Sequence, residues 1–306
     1  MSEEVEKELK KIPGLSWLIK QAKKIILPGL EGLSLYDLWE IYSVGIIKGT
    51  FSTRAGSIAF SFFMAIFPFL LFILNLIPYV WFIDDFQLEV LAFMDTLLPP
   101  QTSEFFNEIF ADIVNNPRGG LLSITFILSI FLMTNGINAI FTGFEFSYHT
   151  TINRSIIRQY LVALGTSIII ALMLLFSVIA FVYLTYIIED LKAIGIFSDN
   201  LYWAQIGRYL VFVLLIYNAV ATLYYFGTKE GKNSRYFSVG AFFTTLLIML
   251  TTFLFSIYIE NFSTYNKLYG SIGALLILMV YIWINANILL LGFELNASIN
   301  RLKQNF

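Results

Sequence analysis

The chain has no cysteine and a single histidine, His149, in 306 residues. Disulfides, thiolate metal sites and cysteine nucleophiles are therefore excluded. One histidine without a second histidine or a cysteine nearby makes no metal-site spacing, so His149 reads as a surface residue at a helix end. Charge is also scarce: 13% of residues are Asp, Glu, Lys or Arg, with a formal net charge of −2. An average soluble domain carries about 25%. No basic face is dense enough to track a phosphate backbone, which argues against a nucleic-acid partner. The nucleophile elbow G-x-S-x-G, the P-loop and the dinucleotide glycine fingerprint are missing too, so no enzyme chemistry and no cofactor are expected. The first eleven residues are highly charged and precede no short apolar run with a small-residue cleavage site. They do not read as a secretory signal, and the first span is expected to stay in the mature protein.

What the chain has in abundance is apolar sequence, 58% of all residues. Six stretches, at 58–82, 121–141, 161–188, 207–226, 239–259 and 270–293, are long enough to cross a hydrocarbon core, which takes about 20 helical residues. They lack the alternation of a barrel strand, and lipid cannot satisfy an open backbone, so helices are expected. The fold class predicted is all-α, an integral membrane bundle of six transmembrane helices. Lys and Arg placement sets its orientation. Lys7, Lys10, Lys11, Lys20, Lys23, Lys24, Lys48 and Arg54 precede the first span. Arg154 and Arg158 lie between the second and third, Lys229, Lys232 and Arg235 between the fourth and fifth, and Arg301 and Lys303 after the last. The opposite side has Arg118, Lys192, Arg208 and Lys267, and its first loop is acidic. This distribution predicts both termini in the cytoplasm of a bacterial inner-membrane protein.

Residues 1–53 are expected to form cytoplasmic or interfacial amphipathic helices, near 16–27 and 35–49, suited to an anionic leaflet. Residues 54–300 make the membrane domain and 301–306 a cytoplasmic tail. The first external loop, 84–120, is rich in Phe, Leu and acids and is divided by Pro99 and Pro100. It is expected to form two short helices capping the outer face.

Polar residues within the spans fall into stripes. Arg54, Ser57, Ser61, Pro68 and Asn75 share one face of the first helix, which Pro68 and Pro78 should bend. Asn135, Asn138, Thr142, Glu145 and His149 run three, four, three and four residues apart in the second. Asn218, Thr222 and Tyr225 make a weaker stripe in the fourth span, and Asn287 and Glu294 share a face of the last. Such stripes are either interhelical glue, contributing about 0.6–2 kcal/mol per contact, or a polar pathway. Arg54, Asn75, Asn135, Asn138, Glu145, Asn218, Asn287 and Glu294 are the candidates for pathway or structural pairs. Arg54 in particular can reach either Glu145 or Glu294 and staple the bundle.

Three segments carry a family resemblance. They are the run Arg54-Ala-Gly-Ser-Ile-Ala-Phe-Ser with Phe63, Phe67 and Pro68; the segment from Asn261 through Tyr265, Asn266, Tyr269, Gly270 and Gly273 to Ala274; and Leu291-Gly-Phe-Glu294-Leu-Asn-Ala297. Together they resemble the YihY/BrkB family of bacterial inner-membrane proteins, also named ribonuclease BN-like, over residues of about 39 to 300. Phe293 stands where that family usually has Ala. The resemblance implies a polytopic membrane protein and brings a ribonuclease label with it. One histidine and an acidic external face argue against RNA cleavage.

The reading that follows is a transporter-like or flippase-like protein for an amphiphilic or lipid-linked molecule, with membrane lipids as partners and the oligomeric state open. The loop of Tyr265, Asn266, Tyr269, Gly270 and Gly273 offers free N–H groups at the start of the sixth helix for an outer-leaflet anion, or is a tight glycine-permitted connection. The rival is a non-transporting scaffold in envelope organisation. A wet central cavity favours transport, and a dry core of Phe and Leu favours the scaffold.

Overall fold

A computed structural model of the protein describes residues 21–25, 34, 36, 50–76, 92, 119–146, 154–193, 200–229, 231, 235–261 and 271–304. The expected N-terminal amphipathic helices, apart from a helical turn at 21–24 and the helical residue Tyr36, fall outside these residues, as do the external cap apart from Ala92 and the start of the second long helix, His149, and Tyr265, Asn266, Tyr269 and Gly270. Among the described residues the long elements are all α-helices: α1 (Thr50–Leu76), α2 (Gly119–Glu145), α3 (Ile156–Ala193), α4 (Asn200–Gly227), α5 (Val239–Asn261) and α6 (Ser271–Gln304). Five of them, α2 to α6, are long and apolar enough to cross a membrane. α1 has 27 residues with Pro68 inside it, a length of about 40 Å.

Apolar side chains surround these helices instead of forming one narrow stripe, which is what lipid as solvent permits. Phe126 and Ile127 of α2, Phe176 and Tyr183 of α3 and Phe253 of α5 are all exposed. Each helix packs beside the next in sequence, and α6 returns to α1, so the six close into a ring. α2 also reaches across to α4 and α6.

Antiparallel succession gathers the start of α1, the end of α2, the start of α3, the end of α4, the start of α5 and the end of α6 at one end of the ring. The buried cluster lies at this end: Phe51, Ala55 and Ile58 of α1, Ile137 to Phe144 of α2, Val220 to Tyr224 of α4 and Ala286 to Phe293 of α6. Small residues let the helices approach. A Cβ on Gly292 would collide with Thr244 Oγ1 of α5 and lie 2.6 Å from the Tyr224 hydroxyl of α4. A Cβ on Gly143 would lie 3.1 Å from Leu290 and 3.2 Å from Ile58. Such contacts are the usual means of association where lipid removes the hydrophobic drive between helices.

Candidate functional site

Glu145, Glu294, Arg54 and Arg154 all lie at this packed end, called here the charged end. Arg54 is on the first turns of α1. One guanidinium nitrogen donates to the Gly143 carbonyl near the end of α2 at 2.8 Å, and another lies 3.9 Å from Glu294 Oε1 on α6. The group also sits over the Phe51 ring, 4.6 Å from its centroid. Of the two carboxylates within expected reach, Arg54 is thus placed on Glu294. Glu294 is 5% exposed, so the pair is shielded from solvent and the charges interact more strongly than on a surface.

Glu145 has other partners. The Arg154 backbone N–H donates to it at 3.1 Å, and the Gln159 amide of α3 lies beside it. Amide nitrogen and oxygen are assigned from their partners, and a carboxylate requires a donor. With its NH2 turned to Glu145, Gln159 donates to the two carboxylate oxygens at 2.8 and 3.2 Å, and its carbonyl lies 3.0 Å from the Thr142 hydroxyl and 3.1 Å from Asn138 Oδ1, so the Asn138 amide turns as well to place its NH2 there.

Arg154, which sequence reasoning counted only as a topological charge, proves central. It is 8% exposed. Its guanidinium donates to the last carbonyls of α4, 2.6 Å from Phe226 O, 3.4 Å from Gly227 O and 2.7 Å from Thr228 O. These acceptors are left over at every helix C-terminus, where the helix dipole also favours a cation. Burial draws the guanidinium below its ordinary value, Glu145 raises it, and Arg158 lowers it. It remains a cation at any physiological pH. The signal that could have found it is its position, a basic residue just before a helix in a chain with so few charges.

The remaining polar candidates whose side chains are described bond to α3 or within their own helices. Asn135 accepts from the Tyr160 hydroxyl of α3 at 3.3 Å, and Thr134 meets Ser167 of α3 at 3.2 Å. The stripe on α2 therefore faces α3. Asn218 and Asn287 donate to carbonyls of their own helices, Leu214 at 2.8 Å and Trp283 at 2.7 Å. Asn75 lies in α1, and its side chain is outside the described set. Gly273 is buried within α6. Pro68 is buried in α1, and its carbonyl accepts from Ser129 of α2 at 2.5 Å.

Hydrogen bonds thus tie α1, α2 and α3 to one another. A second set ties α4 to α6. The Tyr224 hydroxyl of α4 donates to Leu289 O of α6 at 2.8 Å and meets Thr244 of α5 at 2.6 Å, while Thr252 of α5 meets Tyr281 of α6 at 2.7 Å. Arg54 and Arg154 carry polar contacts from the first set to the second, and the Thr222 hydroxyl of α4 adds a weak one to Met173 Sδ of α3 at 3.8 Å. Between them the join is aromatic: Phe144 stacks on Phe293 with centroids 4.1 Å apart, and Tyr224 meets both rings edge-on at 5.6 and 5.7 Å.

Comparison with known proteins places these features in a family. The family model described as virulence factor BrkB matches residues 45–305. The ribonuclease-like protein YfkH of Bacillus subtilis is 28% identical over 258 residues, covering 82% of this chain and 91% of its own length. A UPF0761 membrane protein of Psychrobacter sp. is 22% identical over 83% of this chain, which spans 46% of that relative. A UPF0761 membrane protein of Coxiella burnetii is 21% identical over 78% of this chain and 84% of its own length. No solved structure matches.

Proposed function

Because the chain belongs to the BrkB family of membrane proteins, we propose that it is a six-span protein of the bacterial inner membrane, both termini cytoplasmic, that passes an amphiphilic or lipid-linked molecule through a bundle gated at its charged end. α1 supplies the sixth span. The Lys and Arg distribution supports this orientation, which puts the charged end on the cytoplasmic side.

The observation that carries the reading is the placing of Arg54 and Arg154 where α1–α3 meet α4–α6. Buried charges, whether paired as Arg54 is with Glu294 or bound to carbonyls as Arg154 is, hold a structure no better than well-packed apolar residues would. A permanently shut joint has no need of them. A joint that opens does, because charged groups released into water recover their hydration, whereas separated apolar faces do not. The three stacked aromatics would then be the plug and the two arginines its latches. The reading is non-enzymatic and needs no cofactor, and the ribonuclease name stays with the relative that bears it.

The scaffold reading has two observations in its favour: the charged end is packed with Phe, Ile, Leu and Ala, and the α2 stripe is used up in contacts with α3. The two readings part on water access. Asn287→Cys on α6, in a chain without other thiols, is tested in native membranes with impermeant reagents from each side. Under gating, Arg54→Ala makes position 287 reactive from the cytoplasmic side. Under the scaffold reading it stays protected from that side in both backgrounds.

A further inference from the structure

The connection from α4 to α5 carries a surface that the gate does not use. Tyr236 turns inward, its hydroxyl meeting Thr222 at 2.7 Å and donating to Asn218 O of α4 at 3.2 Å. Pinning this residue fixes its neighbours on the outside: Arg235 is exposed and Phe237 is 60% exposed. Phe237 stacks on Tyr217 of α4 at 5.5 Å, and the far side of that cluster is Phe242 of α5, edge-on to Tyr217 at 6.4 Å.

From there an exposed apolar stripe runs the length of α5 through Phe242, Leu246, Leu250, Phe253 and Ile257. The steps of three and four residues keep it on one face of the helix. Its opposite face, with Gly240, Ala241, Thr244 and Thr245, is buried in the bundle.

We propose that this corner binds one anionic phospholipid, its headgroup phosphate on Arg235 and an acyl chain along the α5 stripe. Any lipid-facing helix carries apolar side chains. What distinguishes this one is that the stripe ends in an aromatic cluster of Tyr217, Phe237 and Phe242, with the exposed Arg235 two residues before Phe237 in the chain. Aromatic rings sit at headgroup level, and a guanidinium pairs with phosphate through parallel N–H donors. Phosphatidylglycerol fits, and a zwitterionic headgroup adds a cation that Arg235 repels. The site stands independently of whether the bundle transports anything.

The test is native mass spectrometry of the full-length, detergent-purified protein titrated with phosphatidylglycerol or with phosphatidylcholine of identical chains. The wild-type protein should retain phosphatidylglycerol at least about fivefold better, close to 1 kcal/mol by the tenfold-per-1.4 kcal/mol rule. Arg235→Ala should abolish that preference. Phe237→Ala should weaken both lipids together, and Tyr236→Phe should lower phosphatidylglycerol retention while thermal unfolding stays cooperative. Arg158→Ala, which removes an exposed cation of α3, should leave the preference intact. Equal retention of the two lipids overturns the site, as does a preference that survives Arg235→Ala or falls as much with Arg158→Ala.

Discussion

Phe293 lies face to face on Phe144, 9° from parallel, so residues that adjoin both partners of Arg54 form one stack. Gly143 and Phe144 are consecutive on α2, and Phe293 and Glu294 on α6. The guanidinium of α1 therefore closes on the same two helix turns that the rings hold together. Removing the ring should be felt at once. Phe293→Ala is expected to destabilise the protein by about 3 kcal/mol, the usual range for a buried aromatic truncation. Phe293→Leu should cost less than half of that. Thermal or denaturant unfolding in nanodiscs measures both.

Arg154 and Arg158 are four residues apart, and one is buried against three carbonyls while the other is exposed. Arg154→Ala removes the cation that these carbonyls at the end of α4 share and should cost about 3 kcal/mol. Arg158→Ala should stay within about 0.5 kcal/mol. Arg154→Lys should recover only part of the loss, since an ammonium cannot fork across carbonyls on successive residues. Equal effects at the two positions would contradict the capping role.

Gly292 has no room for a side chain, because Thr244 and Tyr224 occupy it. Gly292→Ala should push α5 from α6 and destabilise by about 1–3 kcal/mol. Thr244→Ala removes the colliding oxygen, so the double variant should be more stable than the two single losses summed. Strict additivity would mean that the close approach does not govern this contact.

Gln159 turns its donor side to Glu145. Gln159→Glu would set two carboxyls against each other, and like charges so close cannot both ionise at low cost. The variant should lose stability at pH 8 and regain much of it at pH 5, where the pair can hold a proton. Unfolding midpoints across that range, referred to the wild type, report it. A pH-independent loss would contradict the contact between Gln159 and Glu145.

Much of this organisation was legible in the sequence because lipid makes both apolarity and its exceptions conspicuous. The apolar runs located α2 to α6, and the three-and-four spacing of Asn135, Asn138, Thr142 and Glu145 identified one face of α2. That face was visible but its neighbour was not, since Gln159, Tyr160 and Ser167 of α3 show no spacing that names α2 as a partner. Arg54 was singled out by its position, yet Glu145 and Glu294 were equivalent until the ring closure of α6 on α1 chose between them. Arg154 was hidden for a different reason: its partners are backbone carbonyls, which every sequence possesses and none displays. Phe293 looked like a departure from the family pattern, and its meaning depended on Phe144, 149 positions away in the chain.

The gate is tested most directly by the distance between the two three-helix sets at the charged end. Spin labels at Thr53→Cys on α1 and Lys229→Cys after α4, both exposed positions, report it by pulsed dipolar spectroscopy in liposomes. The account predicts two populations, with the longer distance gaining when Arg54→Ala and Arg154→Ala are introduced together in a protein that still unfolds cooperatively. A single narrow distance, unchanged by those substitutions, would contradict it.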